Sequence, residues 1–135
     1  MKRHEIRERI FQILFSVEFH EGENLRDLVI RYLDETCEPK VNDAERAEIL
    51  KKTLEVADRF SELDKKIDAV SEGWRVSRMG RAELTILRLA LYEMNYDEDV
   101  PLKVAINEAV DLAREYCGDE SPAFINGVLA KLVAS

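Results

Sequence analysis

Between Arg81 and Tyr96 the chain reads RAELTILRLALYEMNY. At helical period Leu84, Ile86, Leu87, Leu89, Ala90, Leu91 and Met94 leave one narrow polar strip of Arg81, Thr85, Arg88 and Tyr92. A helix apolar on nearly every side must be covered by other elements. The segment has no internal Gly or Pro and is rich in good helix formers, so propensity agrees with pattern. At about four turns, and interrupted by charge, it is too short to span a bilayer. The pattern therefore predicts a buried central helix over 81–96.

The rest of the chain supplies covering helices. Ile6, Ile10, Ile13, Leu14 and Val17 share a face, predicting an amphipathic helix from residue 3 to about 20, with Phe11, Phe15 and Phe19 as a second stripe beside it. Gly22 and Asn24 break this helix and start another, with Leu25, Leu28, Val29 and Leu33 inward and Tyr32 alongside, ending before Glu38 and Pro39. Asn42 and Asp43 are N-cap residues for a helix facing the core through Ala47, Leu50, Leu54, Ala57 and Phe60. Ser61, with Asp64 three residues on, predicts a break and a further helix through Leu63, Ile67 and Val70, stopped by Gly73. In the connector WRVSRMG, Trp74 is expected as a lid over the core and Arg75 and Arg78 as solvent-facing. Pro101 suits the first turn of a helix burying Leu102, Ile106, Ala109, Val110, Leu112 and Ala113 and closed by Gly118. Ser121 and Pro122 open the last helix, through Phe124, Ile125, Val128, Leu129 and Leu132. About seven helices, short connections and no strand candidate predict an all-α compact bundle forming a single domain, residues 1–135.

Composition agrees with this picture. A chain of 135 residues can bury roughly two thirds of its unfolded surface in one core. With 36% charged and 46% hydrophobic residues and few Gly and Pro, it belongs with helical globular proteins rather than disordered or disulfide-rich ones. The start, MKRHEIRERIF, has no apolar run behind its basic residues, so a signal peptide is not expected and the cytoplasm is the default compartment. Cys37 and Cys117, far apart, are then expected as free thiols. The net charge of −8 excludes a protein that coats nucleic acid nonspecifically, which needs a broad basic surface. Its distribution is uneven: Lys2, Arg3, Arg7 and Arg9 outnumber Glu5 and Glu8, giving a basic tip of +2 on a body of −10.

No catalytic constellation emerges. There is no Gly-rich phosphate loop, no His pair at metal-ligand spacing, and no Ser, His and acid grouping; His4 and His20 lie near helix ends. Neither a metal nor another cofactor is expected, and a binding module is the stronger class. Phe11 and Phe19 are expected in helix contacts. Phe15, a turn inward from the basic tip, is either a core residue or a ring that stacks on a base, since aromatic rings beside Arg planes hold single-stranded RNA.

Specific residues go further. RAELTILRLALYEM, DVPLKVAINEAVDLAREY and GDESPAFINGVLAKL, with the N-terminal RERIFQILFSVE, closely resemble the NusB family of bacterial transcription antitermination factors. The combination of INEAV, ES and FINGVL is the specific part, and residues 20–75 are the least distinctive. The resemblance implies a small helical fold of two sub-bundles. It also implies binding of the boxA element of nascent RNA together with the ribosomal protein NusE, within the transcription elongation complex, in support of ribosomal RNA operons. Both a monomer and a homodimer are compatible with it. The family's basic RNA-binding motif falls on Lys2, Arg3, His4, Glu5, Ile6 and Arg7, and its other RNA-facing positions on Gln12, Phe15, Tyr116, Glu120, Ser121 and Phe124. His4 and Glu5 stand where the motif is usually more basic, which implies weaker RNA binding by this chain alone.

Phe124 and Lys131, two turns apart on one side of the last helix, either flank a strand of RNA, or Phe124 is core. Gly127, beside them, costs about 1 kcal/mol relative to Ala and is expected to admit a neighbouring helix more readily than RNA backbone. Asn107, Asp111 and Arg114 are expected to form a hydrogen-bonded network. Glu83 falls among apolar neighbours at the start of the central helix; it either serves the helix dipole or, as the resemblance implies, meets NusE. A NusB-like accessory domain of an RNA cytosine methyltransferase is the alternative, against which stands the absence of a methyltransferase cofactor loop in these residues.

Overall fold

The computed structural model describes residues 1–17, 20 and 22–134, and among these it contains seven α-helices and no strand. They are α1 (Arg3–Ser16), α2 (Leu25–Arg31), α3 (Asp43–Asp58), α4 (Phe60–Val70), α5 (Arg81–Tyr96), α6 (Leu102–Tyr116) and α7 (Ser121–Ala134). A π-helical stretch, Tyr32–Thr36, prolongs α2, and a 3₁₀ turn, Val76–Arg78, precedes α5. The chain forms two compact units, Met1–Asp58 and Arg59–Ser135.

In the first unit α1 and α2 pack on α3. Ile6, Ile10, Ile13 and Leu14 are buried as expected, and so are Leu28, Val29 and Leu33. The α-helical part of α1 ends at Ser16, earlier than the pattern predicts; the Ser16 hydroxyl turns back to donate to the Ile13 carbonyl at 2.8 Å, a local bond that competes with a further turn. Phe19 lies outside the described residues. Asn24 caps α2 by accepting from the Asp27 amide. Asn42 and Glu45 exchange side chain to backbone bonds of 2.8 and 2.9 Å, a capping box at the head of α3. The buried line of α3 differs from the expected one. Ile49, Thr53 and Val56 are fully buried, whereas Ala47 is exposed and Leu50, Leu54 and Ala57 are half-buried. Two apolar stripes run side by side on this helix, and the β-branched one lies deeper.

In the second unit α5 is packed by α4, α6 and α7 together. Every residue from Leu84 to Glu93 is buried. The predicted polar strip is therefore internal over most of its length. Thr85 donates to the Arg81 carbonyl at 2.7 Å, Tyr92 is 5% exposed, and Arg88 forms a bidentate pair with Asp64 of α4 at 2.8 and 2.7 Å. Met94 is only half-buried, while Glu93, 1% exposed, is a buried carboxylate that the pattern does not predict.

The break before α4 falls at Arg59, two residues earlier than the Ser61 cap predicts, so Phe60 opens α4 and its ring lies 4.1 Å beneath the Arg88 guanidinium. Gly73 (φ +77°) occupies the left-handed turn after α4, where a side chain would be strained. Pro101 caps α6 from outside rather than standing in its first turn. Leu102 is exposed and Ile106 and Val110 are half-buried, because α6 turns its small residues Ala105, Ala109 and Ala113, with Leu112, toward its neighbours. Small side chains allow close approach of helix axes.

Gly127 overturns the packing expectation. It is exposed, and a Cβ there would meet nothing within 4 Å. Gly127→Ala is therefore expected to stabilise the protein by about 1 kcal/mol through helix propensity and a more restricted unfolded chain. A lowered denaturation midpoint would show that the position is under a constraint absent from this geometry.

Candidate nucleic-acid interface

In the first unit the basic tip is engaged with its own surroundings. Lys2 is exposed, and Arg3 forms a bidentate pair with Glu48, with one bond of 2.8 Å. Arg9 donates to Glu8 at 3.1 Å and to the Glu38 carbonyl at 2.9 Å. Arg7 is 7% exposed, so the expectation of an open phosphate-binding cation at this position is corrected; it faces the buried side of α1. His4 is half-buried. The Gln12 side-chain oxygen Oε1 accepts from the Tyr32 hydroxyl, and burial pushes the pKa of that hydroxyl up to about 12. Phe15 is half-buried and stacks on buried Phe11 with centroids 6.1 Å apart, leaving part of its ring accessible.

In the second unit a cleft of about 220 Å³ is lined by Trp74, Arg78, Met79, Gly80, Glu83, Glu120, Ser121 and Phe124. Helix starts build it. Gly80 is the N-cap of α5, Glu83 stands in the first turn of that helix, Ser121 begins α7 and Phe124 follows one turn later. The packing of α7 on α5 brings Glu83 together with Glu120, Ser121 and Phe124. Tyr116, exposed at the end of α6, and Lys131, exposed further along α7, do not line the cleft. Phe124 is a half-buried wall residue rather than core, with its ring edge-on to Trp74 at 6.0 Å. Trp74 is 57% exposed, not a lid: it covers the cleft rim instead of the core.

Glu83 stands both in the first turn of α5 and on the cleft wall. Its carboxylate sits at the positive end of α5 and folds back over Gly80 so closely that a Cβ there would lie 2.1 Å from Oε2. It also faces the cleft and accepts from the Cys117 thiol at the end of α6. Burial, aided by that bond, pushes Cys117 up to about 12, so the thiol stays protonated at neutral pH and acts as a donor rather than a nucleophile. Cys117, Trp74, Arg78 and Met79 are site residues that sequence reasoning missed; an aromatic residue in a connector next to paired arginines was the available signal.

Two carboxylates against one guanidinium make the cleft acidic. It repels phosphate but suits basic side chains, and its carboxylates and rings can accept from base amino groups and stack on base faces. Elsewhere in this unit Asp111 and Arg114 pair at 2.8 Å and line a shallow groove with Asn107 and Asn126, which accounts for part of the expected polar network. Among the described residues no helix is long and apolar enough to cross a membrane.

Comparison with known proteins gives one answer. The NusB family model matches residues 4–134. The transcription antitermination protein NusB of Agathobacter rectalis is 47% identical over 131 residues, spanning 97% of this chain and 98% of the relative. That of Lachnoclostridium phytofermentans is 43% identical over 136 residues, spanning 98% and 99%. The solved structure of T. maritima NusB matches with a TM-score of 0.89 at 28% identity, over 100% of this chain and 92% of that one. A chain from the crystal structure of antitermination factors NusB and NusE in complex with dsRNA matches at 0.83 and 24% identity, over the full length of both chains, a likeness of fold.

Proposed function

Because the chain belongs to the NusB family of transcription antitermination proteins, we propose that it is a noncatalytic antitermination factor that binds boxA RNA together with NusE and joins the transcription elongation complex in the cytoplasm. The observation that carries this reading is the convergence of Glu83, Glu120, Ser121 and Phe124 on one acidic, ring-lined cleft. Glu83 is the residue through which a basic ribosomal protein docks. Lys2, Arg3, His4, Gln12 and Phe15 on the first unit, and Tyr116, Glu120, Ser121, Phe124 and Lys131 on the second, are the RNA-contacting candidates. The relatives matched over nearly their whole length are antitermination proteins, which favours this reading over an accessory domain of a methyltransferase.

The electrostatics make NusE central. Arg3 and Arg9 are held by the chain's own acceptors, Arg7 is buried, and the body is strongly acidic, so this protein alone neutralises few phosphates. A basic partner over Glu83 covers acidic surface and adds its own RNA contacts. The two binding events are then coupled, by about 5- to 150-fold in affinity if the coupling is of ordinary size, and RNA must tighten NusE binding by the same factor. Calorimetric titration of boxA RNA into wild type and Glu83→Lys, each with and without NusE, tests this. Wild type is expected to bind more tightly with NusE present, and Glu83→Lys to keep only the weak binding. Equal boxA affinity for wild type with and without NusE sinks the proposal.

A further inference from the structure

A second pocket, of about 360 Å³, is lined by Asp68, Ser71, Gly73, Arg75 and Arg78. Its chemistry is opposite to that of the acidic cleft, with which it shares Arg78. Two exposed guanidiniums face one carboxylate, and Asp68 Oδ1 is engaged by the Val76 amide at 2.6 Å. Ser71 supplies the decisive observation. It is 8% exposed, it lines the pocket, and its hydroxyl has no hydrogen-bond partner among the described residues. A shielded hydroxyl without a partner leaves its desolvation uncompensated, and an acceptor entering the pocket would satisfy it. Beside two guanidiniums, the acceptor that fits is an oxyanion.

We propose that the Ser71–Arg78 pocket is a phosphate site, in which the Ser71 hydroxyl and the Arg75 and Arg78 guanidiniums donate to the oxygens of one phosphate group. The group arrives either as a phosphodiester of RNA whose bases occupy the neighbouring cleft, or as free phosphate. Only the first source rests on the function proposed above. The acid and the carbonyl end of α4 nearby limit the affinity for an isolated anion, so a tethered phosphate binds the better of the two.

The full-length protein is titrated with inorganic phosphate at constant ionic strength, following backbone amide shifts and the fluorescence of Trp74, the only tryptophan. A saturable response centred on Ser71, Gly73, Arg75 and Arg78 is expected. Ser71→Ala and Arg75→Gln should each weaken it about tenfold, the worth of one hydrogen bond to a charged acceptor. Circular dichroism melts confirm that both variants fold. A response that does not saturate, or variants that titrate like wild type, overturns the site. The salt dependence of boxA RNA binding in the presence of NusE then separates the sources. A log–log slope reduced by about 0.7 in Arg75→Gln assigns an RNA phosphodiester, and an unchanged slope beside a saturable phosphate response assigns free phosphate. If wild type binds no boxA RNA, the proposed function fails while the phosphate titration still decides the pocket.

Discussion

Replacing Leu87 with Ala is expected to destabilise the protein by about 2–5 kcal/mol, the largest effect of any single change considered. Leu87 is fully buried at the middle of α5, where α4, α6 and α7 all pack. Truncation removes apolar contacts and leaves a cavity that close-packed neighbours fill only in part. Leu87→Met, which nearly conserves volume, should cost less than about 1.5 kcal/mol. Denaturant melts of the two variants distinguish cavity formation from general intolerance. A Leu87→Ala shift within about 0.5 kcal/mol, the size of an ordinary surface substitution, would remove this helix from the centre of its unit.

The second large effect is expected at Arg88. Its guanidinium is held between the Asp64 carboxylate and the Phe60 ring, and the residue is 8% exposed. Arg88→Ala removes the stacking contact and leaves Asp64 without its cation. Breaking a buried pair costs roughly 3–5 kcal/mol, and since the Asp64 side chain retains 25% exposure, about 2–4 kcal/mol is the expected loss. The double variant Arg88→Met with Asp64→Leu should recover much of this, because removing both charges eliminates the desolvation that their pairing offsets. A double-mutant cycle measures the coupling. Additive single changes would mean that the pair contributes geometry without energy.

The sequence was most legible where one physical demand dominated. The all-round apolar pattern of 81–96, too short to span a bilayer, has to be buried by other elements, and α5 occupies the predicted span. The same pattern was misleading about Arg88 and Tyr92, because periodicity separates polar from apolar residues but does not show that a facing carboxylate or ring makes a polar strip fit for burial. In α3 two adjacent apolar stripes competed, and only tertiary packing decides which lies deeper. The α4 boundary moved to Arg59 because no side-chain cap marks the break there. Gly127 shows the opposite failure: a residue that permits close approach does not reveal whether anything approaches.

The cleft was legible as residues but not as a place. Glu83, Glu120, Ser121 and Phe124 were singled out by resemblance and by awkward polarity; their convergence depends on how the heads of α5 and α7 meet, which no spacing along the chain encodes. Arg7 belongs by sequence to the charged tip, yet its position on α1 is buried, which a local count of charges does not reveal.

The covering of α5 also sets how the second unit opens. Its amides from Leu84 to Tyr92 are hydrogen-bonded within a helix whose side chains are buried on every side, so no partial unravelling from one face exposes them. Local openings follow the elements with least to lose, and here those are the Gly73–Gly80 connector and the ends of α6 and α7. Exchange of the α5 amides with deuterium must wait for the whole Arg59–Ser135 unit to come apart, so the slowest-exchanging amides there measure the free energy of that global event. The rim of the acidic cleft, one helical turn away at Gly80 and Glu83, belongs by contrast to the fast-exchanging edge, where backbone can adjust to a ligand without disturbing the helix that anchors it.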